Sequence, residues 1–193
     1  GLSWTETSGD WVEIDFSTDP DGVYTLQVQE RNTDFTWFDG KIASSSVEID
    51  QTPPSAPVVS AVGLSANDKT NDTTPTWTWS AGGGDGIGVF RYQFESETTV
   101  ETSATSYTRP SAVGDGFYTV QVIERDEAGN WSAAGSQQVE VDTVPPTGGI
   151  VINSDNTYTN TRSVTLAITG SGDPTRMQLL NVGDSSWSPP ESF

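Results

Sequence analysis

Apolar and polar side chains alternate along this chain in short runs, with the period of two expected of half-buried strands. In Thr76-Trp-Thr-Trp79 the two indoles stand two apart and share a face. In 117–125 Tyr118, Val120 and Val122 share another. The runs place strand A over 56–62, B over 75–80, C over 88–95, a weak D near 98–101, E over 105–108, F over 117–125 and G over 137–142. Seven short antiparallel strands of this spacing predict an all-β, Greek-key sandwich of immunoglobulin type, with Trp77, Trp79 and Tyr118 sealed between its sheets. Tyr118 follows an Asp-Gly-Phe turn into strand F, where its hydroxyl is expected to tie back to that turn. Tyr24 repeats the feature.

The pattern recurs. Asp21-Gly-Val-Tyr-Thr-Leu-Gln-Val-Gln-Glu-Arg31 matches Asp115-Gly-Phe-Tyr-Thr-Val-Gln-Val-Ile-Glu-Arg125 at an offset of 94, which is 115 less 21. Val47-Glu-Ile-Asp-Gln-Thr-Pro-Pro54 matches Val139-Glu-Val-Asp-Thr-Val-Pro-Pro146 at 92, which is 146 less 54. A fainter match at 89 sets Thr70-Asn71, Trp77 and Trp79 against Thr159-Asn160, Leu166 and Ile168. A period near one sandwich in length predicts tandem units. Residues 1–52 read as the C-terminal half of one, 53–144 as a complete one, and 145–193 as the N-terminal half of another. Both chain ends then fall inside a sandwich, near Trp4 and Trp187, and the two halves are complementary.

Punctuation between the runs fits. Asp126-Glu-Ala-Gly-Asn130 supplies the Gly and Asn of a tight F–G hairpin. Asp50-Gln-Thr-Pro-Pro54 and Asp142-Thr-Val-Pro-Pro146 are stiff linkers, because paired prolines end a ladder and extend the chain. Together with Thr73-Thr-Pro-Thr-Trp-Thr-Trp79, Gly82-Gly-Gly-Asp-Gly86 and Arg125-Asp-Glu-Ala-Gly-Asn-Trp-Ser132, these residues resemble the bacterial Ig-like repeats of large secreted and surface adhesins, which are also similar to fibronectin type III domains. The resemblance implies a non-catalytic extracellular module. The third unit departs from it, since 148–152 and 163–168 lack the Trp pair. In the first, Asn32-Thr-Asp-Phe-Thr-Trp37 replaces the Ala-Gly-Asn turn.

Composition narrows the function. Eight Lys and Arg against 27 Asp and Glu leave a net charge of −19, a surface that repels nucleic acid and anionic lipid. Seven Trp among 10% aromatic residues provide packed cores. With no Cys there are no disulfides or thiolate metal sites, and with no His there is neither a His-based nucleophile system nor an imidazole ligand. No apolar run approaches the roughly 18 residues of a membrane span, so no membrane insertion is expected in this segment. Met177 is the only Met, and the sequence reads as a processed product or a piece of a longer chain.

The carboxylates are the remaining candidate chemistry. Every acid with an obvious repeat match lies in a turn, a strand end or a linker, which is poor placement for a glycosidase pair. The Gly82–Gly86 loop lacks the Lys and hydroxyl of a phosphate loop. In an Ig-type sandwich the incoming linker and the B–C and F–G loops share one pole, while the A–B and E–F loops share the other. Junction one should therefore bring Asp19 and Asp21 toward Asp50, Asp85, Asp126 and Glu127. Junction two should bring Asp68, Asp72 and Asp115 toward Asp142 and Asp173. Clustered oxygens of this kind suit Ca²⁺ at the domain junctions, though Asp also belongs in turns for its own hydrogen bonds.

Three function classes remain. The first is a structural or adhesive spacer in a large bacterial cell-surface protein, whose partners are neighbouring repeats and a cell-surface or glycan ligand. The second is a filament or surface-layer subunit in which adjacent copies complete each other's halves head to tail. The third is an accessory carbohydrate-binding sandwich of a secreted hydrolase, using exposed aromatics such as Trp37 or Phe38.

Overall fold

The computed structural model describes residues 13–31, 37–65, 67–172 and 174–192, the side chains of 37–41 excepted. In chain order the strands among them are β1 (Gly22–Arg31), β2 (Trp37–Ile49), β3 (Val58–Ala61), β4 (Lys69–Thr70), β5 (Thr76–Ser80), β6 (Gly86–Phe94), β7 (Val100–Thr102), β8 (Ser106–Thr108), β9 (Gly116–Asp126), β10 (Gly135–Val141), β11 (Thr147–Ile152), β12 (Leu166–Ser171), β13 (Arg176–Met177) and β14 (Glu191–Ser192).

Strands β3 to β10 build two sheets. One has the order β3-β5-β8, the A-B-E sheet; the other runs β4-β10-β9-β6-β7. The all-β sandwich is as the alternation predicts. Two details differ. The strand expected as D pairs with β6 through Arg91↔Glu101 and Tyr92↔Val100, so it lies beside C in the second sheet. Strand β4 has no counterpart in the sequence reading. It pairs parallel to β10 at Glu140↔Lys69 and Val141↔Thr70, and two residues are too few to carry a period.

Between the sheets lie Val59, Trp77, Trp79, Phe90, Phe94, Val120, Val122 and Val139. Every second residue of β9 from Val120 onward is buried, and in β5 only Trp77 and Trp79 are. Trp77 meets Phe94 edge-on at 5.7 Å and Trp79 meets Phe90 at 6.3 Å, the geometry that sets a positive ring edge against a negative face. The Trp77 indole N–H donates to the Gln137 carbonyl at 3.1 Å, fastening the first sheet to β10. Tyr118 is not sealed in with the two Trp. It is half-buried, stacked on Phe94 at 5.7 Å, because its hydroxyl must reach the surface turn, where it donates to the Gly114 carbonyl at 3.1 Å. Tyr24 makes the same bond to the Pro20 carbonyl at 2.6 Å.

Outside this sandwich, β1 pairs with β2, β11 with β12, and β13 with β14, each as a two-stranded sheet. The calls on Trp4 and on the turn at Asn32-Thr-Asp-Phe-Thr36 lie outside the described residues, as do the side chains of Trp37 and Phe38.

Candidate functional site

The F–G turn closes on itself through one side chain. Asp126 ends β9 on its inward face, and its Oδ1 accepts the backbone N–H of Gly129 at 2.6 Å and of Asn130 at 2.8 Å. Its Oδ2 accepts the Asn130 side-chain amide at 2.9 Å. Gly129 sits at φ +106°, a conformation that L side chains rarely adopt. Burial opposes ionisation of Asp126, but the hydrogen bonds from Asn130, Gly129 and Ala128 outweigh it and hold the carboxyl below its ordinary range.

From the same turn, Asn130 Nδ2 donates to the Asp50 carbonyl at 3.0 Å, tying the incoming linker to the F–G turn. The B–C loop joins them where Ser55 N–H donates to the Gly83 carbonyl at 3.1 Å. These contacts bring together Asp50, Asp85 and Asp126, each offering a carboxylate oxygen within 4.8 Å of the others. That separation is about twice a Ca–O bond, so the three oxygens can ligate one ion. Asp126 is buried, Asp50 half-buried and Asp85 exposed.

The other nominated acids stand outside that trio. Asp19 lies in a turn closed by its N–H on the Phe16 carbonyl. Glu127 is exposed on the turn. Asp21 accepts the Gln51 N–H at 2.9 Å and the Thr52 hydroxyl at 2.5 Å. Asp115 accepts the Thr143 N–H at 3.0 Å and its hydroxyl at 2.7 Å. Asp142 caps the next turn by accepting Val144 N–H at 3.0 Å, with Lys69 Nζ 3.7 Å away. Asp72 takes both the N–H and hydroxyl of Thr74, and Asp68 sits in a left-handed turn at φ 57°. Asp173 lies outside the described residues. Asp21 and Asp115 thus perform one task, locking the outgoing linker to the corner before strand F.

Glu124 was not singled out from the sequence. It is fully buried on the inner face of β9, two residues from Asp126. Its Oε1 accepts Gly88 N–H at 3.1 Å, while its Oε2 has no hydrogen-bond partner among the described residues. A Cβ added to Gly86 would meet this carboxylate at 2.5–2.8 Å, so a larger residue there would have to displace the buried Glu124 side chain. The same alternation that turns Val120 and Val122 inward places Glu124 there, but its charge argues for solvent. On the outer face Arg91 lies 4.1 Å and Arg125 5.6 Å from the Trp131 ring, which engages this indole in the sheet's own packing.

The two sheets, the corner tyrosine and the F–G turn define an immunoglobulin-type sandwich. Residues 54–143 match the family model described as Bacterial Ig-like domain. This segment is a bacterial Ig-like domain, a class that is generally non-catalytic and often found in surface or extracellular proteins. A comparison with curated proteins finds no match. Among the described residues no helix is long and apolar enough to cross a membrane.

Proposed function

We propose that this chain is a non-catalytic spacer of a large bacterial extracellular or cell-surface protein, built from tandem Ig-like units that hold each other at fixed angles. The observation that carries the proposal is the repeated linker lock. Asp21 with Gln51 and Asp115 with Thr143 make the same bond from the same corner, followed each time by an Asp cap, Asp50 to Thr52 and Asp142 to Val144. With the following Pro pair, a side-chain clamp of this kind turns a connection into a stiff joint. The absence of His and Cys from the sequence supports the non-catalytic assignment. The test is small-angle scattering of the chain against the double variant Asp21→Ala/Asp115→Ala. A spacer with clamped joints gives an extended particle that shortens and broadens in distribution when both clamps are cut. Identical curves from the two proteins reject it.

The first junction is proposed to take Ca²⁺ on Asp50, Asp85 and Asp126, which supports the same role by cross-linking linker, B–C loop and F–G turn. Calcium titration followed by calorimetry and thermal melting tests this. Binding heat and a raised Tm are expected, both lost in Asp85→Asn. No heat at millimolar calcium rejects the metal and leaves the clamp as the whole of the joint.

A further inference from the structure

Glu124 holds an oxygen that the surrounding protein leaves without a partner. The residue is 0% exposed, and while Oε1 takes the Gly88 N–H, Oε2 takes no hydrogen bond among the described residues. Sealing a carboxylate oxygen from water with neither donor nor cation is costly, which is why buried acids are found paired or bound to metals. The arginines of the two adjoining strands do not turn inward to it. Arg91 and Arg125 stand on the outer face, over the Trp131 ring.

The backbone beside this carboxylate is shaped to admit it. A Cβ on Gly86 would stand 2.8 Å from Oε2. Strand β6 shifts register between Gly86 and Val89, and Gly88 lies at φ +72° within that irregularity. The same few atoms border the acidic trio. Gly86 directly follows Asp85 and pairs with Asp126 across the ladder, and facing Cβ positions in such a pair are about 5 Å apart. Glu124 and Asp126 share the inward face of β9. The unpartnered carboxylate is therefore aimed at the end of the sandwich where Asp85 and Asp126 offer their oxygens.

The trio supplies one carboxylate oxygen from each of Asp50, Asp85 and Asp126, fewer than the roughly six to eight oxygens that Ca²⁺ takes. We infer that Glu124 is a further ligand of that site, contributing Oε2 from the core side. The inference rests on the reading of the trio as a calcium site. Glu124 stands outside the trio's 4.8 Å span, so ligation draws it toward Asp126 by a turn about its terminal side-chain torsion, which is broadly distributed. The ion then gives Oε2 the partner it lacks. One cation thereby joins the half-buried linker at Asp50 to the interior of β9.

Glu124→Gln separates ligation from a merely structural role, because the amide keeps the shape and the acceptor for Gly88 N–H but removes the charge. Calcium-free, this variant should keep the cooperative melt of the unmodified chain. In calorimetric titration with calcium chloride its affinity should fall roughly 10- to 100-fold, whereas Asp85→Asn should lose binding. Unchanged affinity in folded Glu124→Gln, with binding still lost in Asp85→Asn, overturns the inference alone and leaves the trio as the whole site. No heat from the unmodified chain overturns the trio with it. Should Glu124→Gln fail to fold, the unmodified chain decides through NMR of labelled glutamate carboxyl carbons. A Glu124 resonance that moves on adding calcium supports ligation, and a stationary one overturns it.

Discussion

Asp115 and Thr143 lie 28 residues apart in sequence and are joined twice, by the backbone N–H and by the hydroxyl of Thr143 on one carboxylate oxygen. The linker after strand G is thereby anchored to the corner before strand F. Replacing Asp115 by Ala leaves that amide open to water. Since an exposed hydrogen bond contributes on the order of 1 kcal/mol, exchange of the Thr143 amide should quicken roughly five- to tenfold, read by hydrogen exchange. Core amides in β9 should keep their protection.

Trp77 fills the centre of the sandwich and also holds Gln137. Trp77→Ala is expected to cost about 3–5 kcal/mol. Trp77→Phe should cost less, since it retains aromatic packing and gives up the indole hydrogen bond. Urea denaturation measures both, as a lower midpoint at nearly unchanged slope.

Gly86 and Glu124 are coupled through contact. Gly86→Ala drives a methyl into the buried carboxylate and should destabilise by about 1–3 kcal/mol. In a Glu124→Ala background the same change should cost much less, because the obstructing group is gone. A double-mutant cycle reads the difference. Additive effects would mean that the strand shifts aside instead.

Asp126 has a folded-state pKa below the ordinary 3.8 it takes in the unfolded chain. Its contribution to stability is therefore complete above that value and is lost as pH falls through the lower folded value. Asp126→Asn should lower Tm at neutral pH by about 4–8 °C, because its amide would face the donor Nδ2 of Asn130. It should also flatten the loss of stability on acidification below pH 3.8. Thermal melts from pH 7 to pH 2 measure both.

Much of this architecture was legible because strand alternation and internal repetition report the same thing. Asp21 to Arg31 and Asp115 to Arg125 match as sequences, and their hairpins share a register. The trio at the first pole followed from strand connectivity, which sends the linker, Asp85 and Asp126 to one end. The rest depended on information that no period carries. Lys69–Thr70 is too short to alternate, and its ladder is held by contact with β10. Strand 100–102 has too few residues to choose a neighbour, so its place beside β6 emerges only in three dimensions. The sequence puts Asp21 and Asp115 among the metal ligands because their position near a linker is visible. What was not visible was that the linker's own N–H groups and hydroxyls claim their oxygens. Glu124 shows the converse, a charged residue whose position in the alternation decided its burial.

The parallel pairing of β4 with β10 has a mechanical consequence. The chain enters the complete sandwich at the pole of the F–G turn and leaves at the opposite one, so tension applied through the linkers runs along β10. The bonds from Glu140 N–H to the Asp68 carbonyl and from Asp142 N–H to the Thr70 carbonyl, each 2.9 Å, lie across that pull and bear it together. They are backed by the Lys69 ammonium 3.2 Å from Glu140. Such a patch resists as a shear joint, in which rupture requires simultaneous failure instead of unzipping bond by bond, and it sits where a stretched fibre would concentrate its load.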